Sequence, residues 1–184
     1  MKLRLFFALW PDDAVRAALA AAAAPLLDAC RGRRVPARNY HLTLAFLGAV
    51  DAGRLEALRV AAATVRAEPF TLSLDGHGHW PKPRVAWLGC RRPPAAAGAL
   101  AGALWAALGP LGFAPERRAF QPHLTVLRDC RRCDWPGPLA PVPWPVSDFA
   151  LMGSEPDFGA PRYVVLGRWG LAAGPATGNP GDSA

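Results

Sequence analysis

The sequence predicts an α+β fold built from two pseudo-symmetric lobes. Three observations carry that expectation. Apolar runs of strand length alternate with Ala-rich stretches of high helix propensity. Short turns also join strand to strand without a helix between them, which favours a mixed α+β sheet. One four-residue string occurs twice: His41-Leu42-Thr43-Leu44 returns as His123-Leu124-Thr125-Val126, at an interval of 82 residues (41 to 123). Each copy follows a helix and a connector.

Taken in order, Lys2 to Trp10 is an apolar run stopped by Pro11, consistent with a buried strand. Asp12 is placed to cap a helix, and Ala14 to Cys30 is helix-forming throughout. Gly32 to Asn39 is basic and turn-like. His41 to Leu47 reads as a strand closed by Gly48. A second helix is expected from Asp51, as its cap, to Ala67, with Leu55, Leu58 and Val65 on one side. Phe70 to Asp75 alternates apolar and polar residues as a half-buried strand does. Val85 to Leu88, beyond the Trp80-Pro81-Lys82-Pro83 turn, is its expected partner. Pro93-Pro94 opens a third helix reaching Leu108, and Gly109 to Arg118 is a basic connector. Pro122 to Arg128 reads as a strand and the Pro-rich stretch Trp135 to Pro145 as a loop. Val146 to Met152 and Tyr163 to Leu171 are the last strands. Residues 1–171 are expected to form a single bilobal domain, and 172–184, Gly/Pro/Ser-rich without periodicity, a disordered tail.

Of 184 residues, 52% are hydrophobic, ample for one core, and 21 Lys and Arg against 14 Asp and Glu give a net charge of +7. That balance points to an anionic partner, with nucleic acid the first candidate, although an Arg-rich composition alone produces the same number. Leu5 to Trp10 resembles a signal core but is short and runs into Pro11-Asp12-Asp13. Ala17 to Leu27 is too short to span a bilayer. The expectation is a cytoplasmic protein without a membrane segment. Four cysteines are too few and scattered for a disulfide framework. Cys130-Arg131-Arg132-Cys133 has neither the second pair nor the nearby His of a zinc site, so it reads as an incidental loop pair.

In a strand, residues i and i+2 share a face. His41 and Thr43 therefore point one way while Leu42 and Leu44 enter the packing, and His123 and Thr125 do the same against Leu124 and Val126. Approximate twofold packing of the lobes would set two His and two Thr across a cleft. Those groups suit in-line attack on a phosphodiester. Imidazole serves as acid or base near neutrality, and hydroxyls donate to non-bridging oxygens. Arg128, five residues past His123, falls on the opposite pleat and needs a strand end or bulge to reach the phosphate. A single His-x-Thr is usually a core histidine; two copies in the same register, using two of only four histidines, argue otherwise. His77 and His79, the other two, lie in Gly76-His77-Gly78-His79, which reads as a plain turn rather than a metal site.

The paired strings resemble the two-histidine phosphoesterases, in particular the bacterial RNA 2′,3′-cyclic phosphodiesterases, also described as 2′-5′ RNA ligases. The flanking strings extend the resemblance: Arg4 to Leu9, Asn39 to Gly48, Arg84 to Gly89, Phe120 to Arg128 and Tyr163 to Trp169. The resemblance implies a bilobal α+β fold of antiparallel sheet with outer helices and a central cleft, with no metal or other cofactor. It implies opening of RNA terminal 2′,3′-cyclic phosphates to 2′-phosphomonoesters, with His41 as proton donor and His123 as acceptor, and a minor 2′-5′ ligase activity. The motif is symmetric and does not itself assign the two roles. Thr43, Thr125 and Arg128 are the expected phosphate-binding residues. Arg31, Arg33, Arg34 and Arg38 before one motif, and Arg117 and Arg118 before the other, are placed to hold RNA backbone. Phe6, Phe46 and Trp87 suit either base stacking or core packing, with core favoured. A monomer without an obligate protein partner is the default. The alternatives are a phosphodiesterase for small cyclic nucleotides and a non-catalytic basic RNA-binding module.

Overall fold

The structure, a computed structural model, describes residues 1–116, 118–133, 137–155 and 160–172. Arg117, Trp135 and, apart from Ala172, the expected tail lie outside the described residues. In chain order the elements are β1 (Lys2–Leu9), α1 (Asp13–Ala29), β2 (Arg33–Arg34), β3 (Leu42–Asp51), α2 (Leu55–Ala63), β4 (Phe70–Leu74), β5 (Gly76–Trp80), β6 (Val85–Gly89), α3 (Ala95–Leu108), β7 (His123–Arg128), β8 (Val142–Val146), β9 (Asp148–Glu155) and β10 (Arg162–Gly170).

Strands pair antiparallel throughout. One sheet has the order β10-β9-β1-β3, a second β2-β7-β6-β5, and β4 and β8 form a two-stranded ribbon. β1 is apolar on both faces because it is interior to its sheet and covered on both sides. Leu5, Phe7 and Leu9 enter the main core, while Phe6 and Ala8 join Ala150 and Met152 in a small cluster on the other face. The two halves exchange their helical cover. α1 leaves the first sheet but packs on β7 and β8, and α3 leaves the second sheet but packs on β3 and α2. One contiguous core consequently runs from Leu5 and Leu151 through Leu72 and Trp144 to Leu88 and Leu124. At the junction β3 and β7, the strands carrying the repeated string, contact each other.

Local chemistry explains most boundaries. The Asp12 carboxylate accepts from the Val15 amide at 2.8 Å and starts α1. Asp51 likewise caps, accepting from Gly53 N at 3.0 Å, but the turn it caps is a 3-10 turn over Ala52–Arg54. The α-helix begins only at Leu55 and ends at Ala63, shorter than expected. Gly48 does not close β3: at φ +70° it carries the strand on to Asp51.

Two strand assignments are corrected. β4 pairs with β8 and not with Val85 to Leu88, and β6 instead pairs with β5, in the segment that reads as a plain turn. Composition hid both partners. In β8 the prolines Pro143 and Pro145 alternate on the exposed face while Val142, Trp144 and Val146 are buried, an arrangement tolerated at a sheet edge. In β5 Gly78 lies opposite Trp87, whose ring covers it so closely that a Cβ would sit 2.2 Å from ring carbon Cζ2. The glycine marks the close approach of an aromatic side chain within a strand pair.

The cysteines also depart from expectation. Cys133 is not half of an incidental loop pair: it is disulfide-bonded to Cys30 at the end of α1, 103 residues away, while Cys130 is a buried free thiol. A cross-link closing so long a loop stabilises mainly by restricting the unfolded chain, by about 2–4 kcal/mol. The Cys30→Ala/Cys133→Ala variant, and the reduced wild type, are expected to lose about that much in urea unfolding relative to the oxidised protein. Equal stability of all three would show that the cross-link contributes nothing.

Candidate active site

His41 immediately precedes β3 and His123 opens β7, so each imidazole stands where an apolar strand begins. The register predicted by alternation holds at both sites: Leu42, Leu44, Leu124 and Val126 are buried, and His41, Thr43, His123 and Thr125 are half-buried. Each histidine meets the same local partner. His41 Nδ1 lies 2.6 Å from the carbonyl oxygen of Asn39, and His123 Nδ1 lies 2.8 Å from that of Gln121. A carbonyl only accepts, so Nδ1 carries the proton in both rings and donates it. Nε2 is left as the basic nitrogen of the neutral ring, or as a second donor in the imidazolium. Asn39 is itself buried and donates from Nδ2 to the Pro161 carbonyl at 2.7 Å, tying the first histidine's support to the segment before β10.

Arg128 reaches the cleft by a bulge. Thr125 pairs with Trp87 and Leu127 with Ala86, leaving Val126 without a cross-strand partner. Val126 and Leu127 are consequently both buried, and the alternation resumes one residue late. His123, Thr125 and Arg128 therefore share a face, and Arg128 lines one cleft with Thr125, His41, Asn39, Arg33 and Tyr163. β3 carries the matching irregularity. Thr43 pairs with Ala8 and Ala45 with Phe7, so Leu44 is the extra residue. That shift aligns Phe46 with His41 and Thr43, as Arg128 is aligned with His123 and Thr125. Phe46 is 41% exposed, with the Arg4 guanidinium 4.8 Å from its ring centroid.

Aromatic walls surround both imidazoles. Phe6, Tyr163 and Trp10 lie 4.9, 5.2 and 5.9 Å from the His41 ring, centroid to centroid. Trp80 and Trp87 lie 4.5 and 6.4 Å from the His123 ring. Burial among these rings pushes His41 down to about 4, against the pull of its Asn39 carbonyl, with Arg128 and His123 lowering it further. His123 is lowered as well, mainly by burial, with Arg128 and Arg118 adding to the effect. Burial thus favours the neutral form of both rings, and Arg128 is the nearby positive charge that both feel.

Of the stacking candidates, Phe6 is buried and Trp87 half-buried, and both pack within the fold; Phe46 alone is exposed. Trp10, Trp80 and Tyr163 were not singled out by sequence. Phe6, Ala8 and Trp10 do share one strand face, but an apolar run on both faces conceals which side the histidine occupies. Among the basic residues, Arg33 forms an ion pair with Asp129 at 3.1 Å, Arg34 with Asp28 at 3.0 Å, and Arg118 lies over Trp80. Arg38 is exposed. His77 and His79 serve as pins, each donating from Nε2 at 2.8 Å to a carbonyl, of Gly137 and Cys130 respectively.

This architecture, two antiparallel sheets meeting at a histidine-lined cleft, is that of a phosphoesterase class. A family model described as LigT like Phosphoesterase matches residues 9–87. The RNA 2′,3′-cyclic phosphodiesterase of Escherichia coli K12 is 39% identical over 169 residues, covering 91% of this chain and 96% of that protein. The protein of the same name from Thermus thermophilus is 32% identical, over 92% of this chain and 90% of that one. The crystal structure of E. coli LigT complexed with 3′-AMP superposes with a TM-score of 0.86 at 37% identity, over 94% of this chain and all of that one. The chain belongs to the LigT-like phosphoesterases, the family of the RNA 2′,3′-cyclic phosphodiesterases.

The depressed histidines are open to direct measurement. In an NMR titration of the ring protons the His41 midpoint is expected near 4 and that of His123 below 6.5. Arg128→Ala removes a positive charge that disfavours both imidazolium forms, so both midpoints should rise. Midpoints at the ordinary histidine value, unmoved by the substitution, would contradict the electrostatics described.

Proposed function

We propose that the protein hydrolyses RNA 2′,3′-cyclic phosphate ends to 2′-phosphomonoesters, with His41 and His123 as the acid/base pair. The observation that carries this reading is the duplicated Nδ1–carbonyl bond. It leaves two Nε2 atoms, one per half, as the proton-transferring groups beside Arg128 and Thr125. Support also comes from the curated relatives named for this activity, and from E. coli LigT crystallised with 3′-AMP and with phosphate. Residues 1–171 act as one bilobal catalytic unit on this reading.

His123 Nε2 takes a proton from water as its oxygen bonds to phosphorus, in line with the 3′ oxygen. The P–O3′ bond breaks and His41 Nε2 delivers a proton to O3′. One water is consumed, and the 2′ ester remains. The assignment of donor to His41 and acceptor to His123 follows the family pattern. Thr43 and Thr125 hydroxyls donate to the non-bridging oxygens, and Arg128 balances the charge that grows on them. Burial favours the neutral imidazole, and the phosphodiester anion offsets this on binding by favouring the imidazolium of the donor in its vicinity. With a 5′-hydroxyl in place of water as the nucleophile, the same groups would form the O5′–P bond as P–O3′ breaks and leave a 2′-5′ linkage, the minor ligase activity.

The test is a short RNA ending in a 2′,3′-cyclic phosphate, incubated with EDTA present. Formation of a 2′-phosphate end by the wild type is expected, with kcat lowered about 10²–10⁴-fold by His41→Ala or His123→Ala. Thr43→Ala, Thr125→Ala and Arg128→Ala are expected to cost up to about 10²–10³-fold each. A 3′-phosphate product would overturn the regiochemistry, and unimpaired histidine variants would overturn the mechanism.

A further inference from the structure

Two basic segments meet at the far end of β7, and neither is used by the chemistry proposed above. One is Arg31-Gly32-Arg33-Arg34, which follows α1; the other is Asp129-Cys130-Arg131-Arg132, which follows β7. Between them lies a cavity of about 550 Å³ lined by Ala29, Arg31, Gly32, Asp129, Arg131 and Arg132. Its lining adjoins that of the cleft along the chain: Arg33 and Arg128, which pair across β2 and β7, line the space in front of His41, and Gly32 and Asp129 are their immediate neighbours in sequence. From Arg128 to Arg131 the chain reaches at most about 11 Å.

Three devices hold the segments together. The Cys30–Cys133 disulfide brackets them, joining the residue before Arg31 to the residue after Arg132. The ladder pairs Arg33 with Arg128 and Arg34 with Leu127. Gly32 permits the close approach, since a Cβ there would sit 2.8 Å from the Arg128 carbonyl oxygen. Arginines delivered on exposed flexible loops would lose conformational freedom on meeting an anion; here the backbones that carry them are already fixed. Three of the six lining residues are arginines, and the one acid, Asp129, is engaged with Arg33.

Two other hollows among the described residues, and the basic α2 side, differ in chemistry. The hollow beside Trp10 is lined by Asp12, Asp13 and Asp148 against Arg16 and Arg168. The groove along α1 over Ala18, Ala22 and Pro141 is apolar. On the α2 side, Arg54, Arg59 and Arg66 are spent on the carbonyls of Leu111, Leu166, Ala63 and Val65.

We propose that the Arg31/Arg131/Arg132 cavity is a second phosphate subsite, which binds the backbone of the RNA strand on the 5′ side of the terminal cyclic phosphate. This deepens the function proposed above and rests on it. The protein is then built for polynucleotide ends and discriminates against cyclic mononucleotides, which have no phosphate to place there.

The measurement is kcat/KM for a 2′,3′-cyclic mononucleotide and for an oligoribonucleotide with the same 3′-terminal residue, each across a KCl series. Two additional phosphates neutralised on a single strand add about 1.4 to the salt slope. Between about 50 and 200 mM KCl the oligonucleotide should therefore lose about sevenfold more than the mononucleotide. Arg31→Ala/Arg131→Ala should lower the oligonucleotide-to-mononucleotide ratio about tenfold, while Arg66→Ala should leave that ratio as in the wild type. Equal salt slopes, or a ratio unmoved by the double variant, would overturn the subsite. So would a loss equally produced by Arg66→Ala, which would mark an effect of net charge. A ratio lowered by Arg118→Ala and not by the double variant would send the strand out past Trp80 and overturn it too. Turnover of the mononucleotide separates the two claims: if it persists, the catalytic reading stands whatever becomes of the subsite. Absence of turnover on both substrates removes the reading and the subsite with it.

Discussion

A neutral imidazole has one N–H, and in both halves of this protein a main-chain carbonyl two residues upstream receives it. From Asn39 to His41 and from Gln121 to His123 the geometry is the same, at 2.6 and 2.8 Å. This bond fixes the tautomer and the plane of the ring. It ties each ring, and with it the Nε2 assigned to proton transfer in the proposed reaction, to a backbone anchored by the adjoining strand. Much of the fold maintains that condition. Tyr40 and Pro122, the residues between carbonyl and histidine, are buried, as are Leu42 and Leu124 just beyond. The exchange of helical cover joins both strands to one core, so the two rings cannot drift apart as independent lobes would.

The second constraint is phase. A regular strand places residues five apart on opposite faces, and both motif strands break that rule by one residue at the same place. The surplus residue, Leu44 in β3 and Val126 in β7, is apolar and buried, so each bulge is held by core packing. Behind the shared backbone the two halves differ in what they present: a guanidinium at Arg128, and an aromatic ring at Phe46. The repeated strand thus presents a charge in one half and a flat ring in the other without a change in its backbone register.

These features divide cleanly into what a sequence can express and what it cannot. The His-x-Thr alternation was legible because period-two patterning is local and the partner residues are apolar. The family was legible in the flanking strings. The bulges were not, since an extra buried Leu or Val looks like any other strand residue. Arg128 could be placed only once the cross-strand register was known. β5 and β8 were obscured by glycines and prolines whose positions make sense only beside Trp87 and at an exposed edge. The Cys30–Cys133 bond joins positions 103 residues apart, a pairing that spacing alone does not encode. The aromatic walls come from distant stretches of chain: Trp10 after β1 and Tyr163 in β10 meet His41 on the first sheet, and Trp80 in β5 meets His123 on the second.

Low histidine basicity has a consequence for the proposed catalytic cycle. In the proposed hydrolysis the donor ends deprotonated and the acceptor protonated, so every turnover leaves the two rings in the reverse of their starting pattern. Resetting requires the acceptor to lose a proton and the donor to regain one. Desolvation makes the first step easy, because an imidazolium among aromatic rings beside Arg128 is disfavoured as soon as the product phosphate departs. It makes the second step depend on substrate in the proposed cycle, because burial disfavours the His41 imidazolium and an anion offsets that effect. On that reading the same burial favours discharge of the site after each reaction, and the charge of the incoming phosphodiester favours return of the acid.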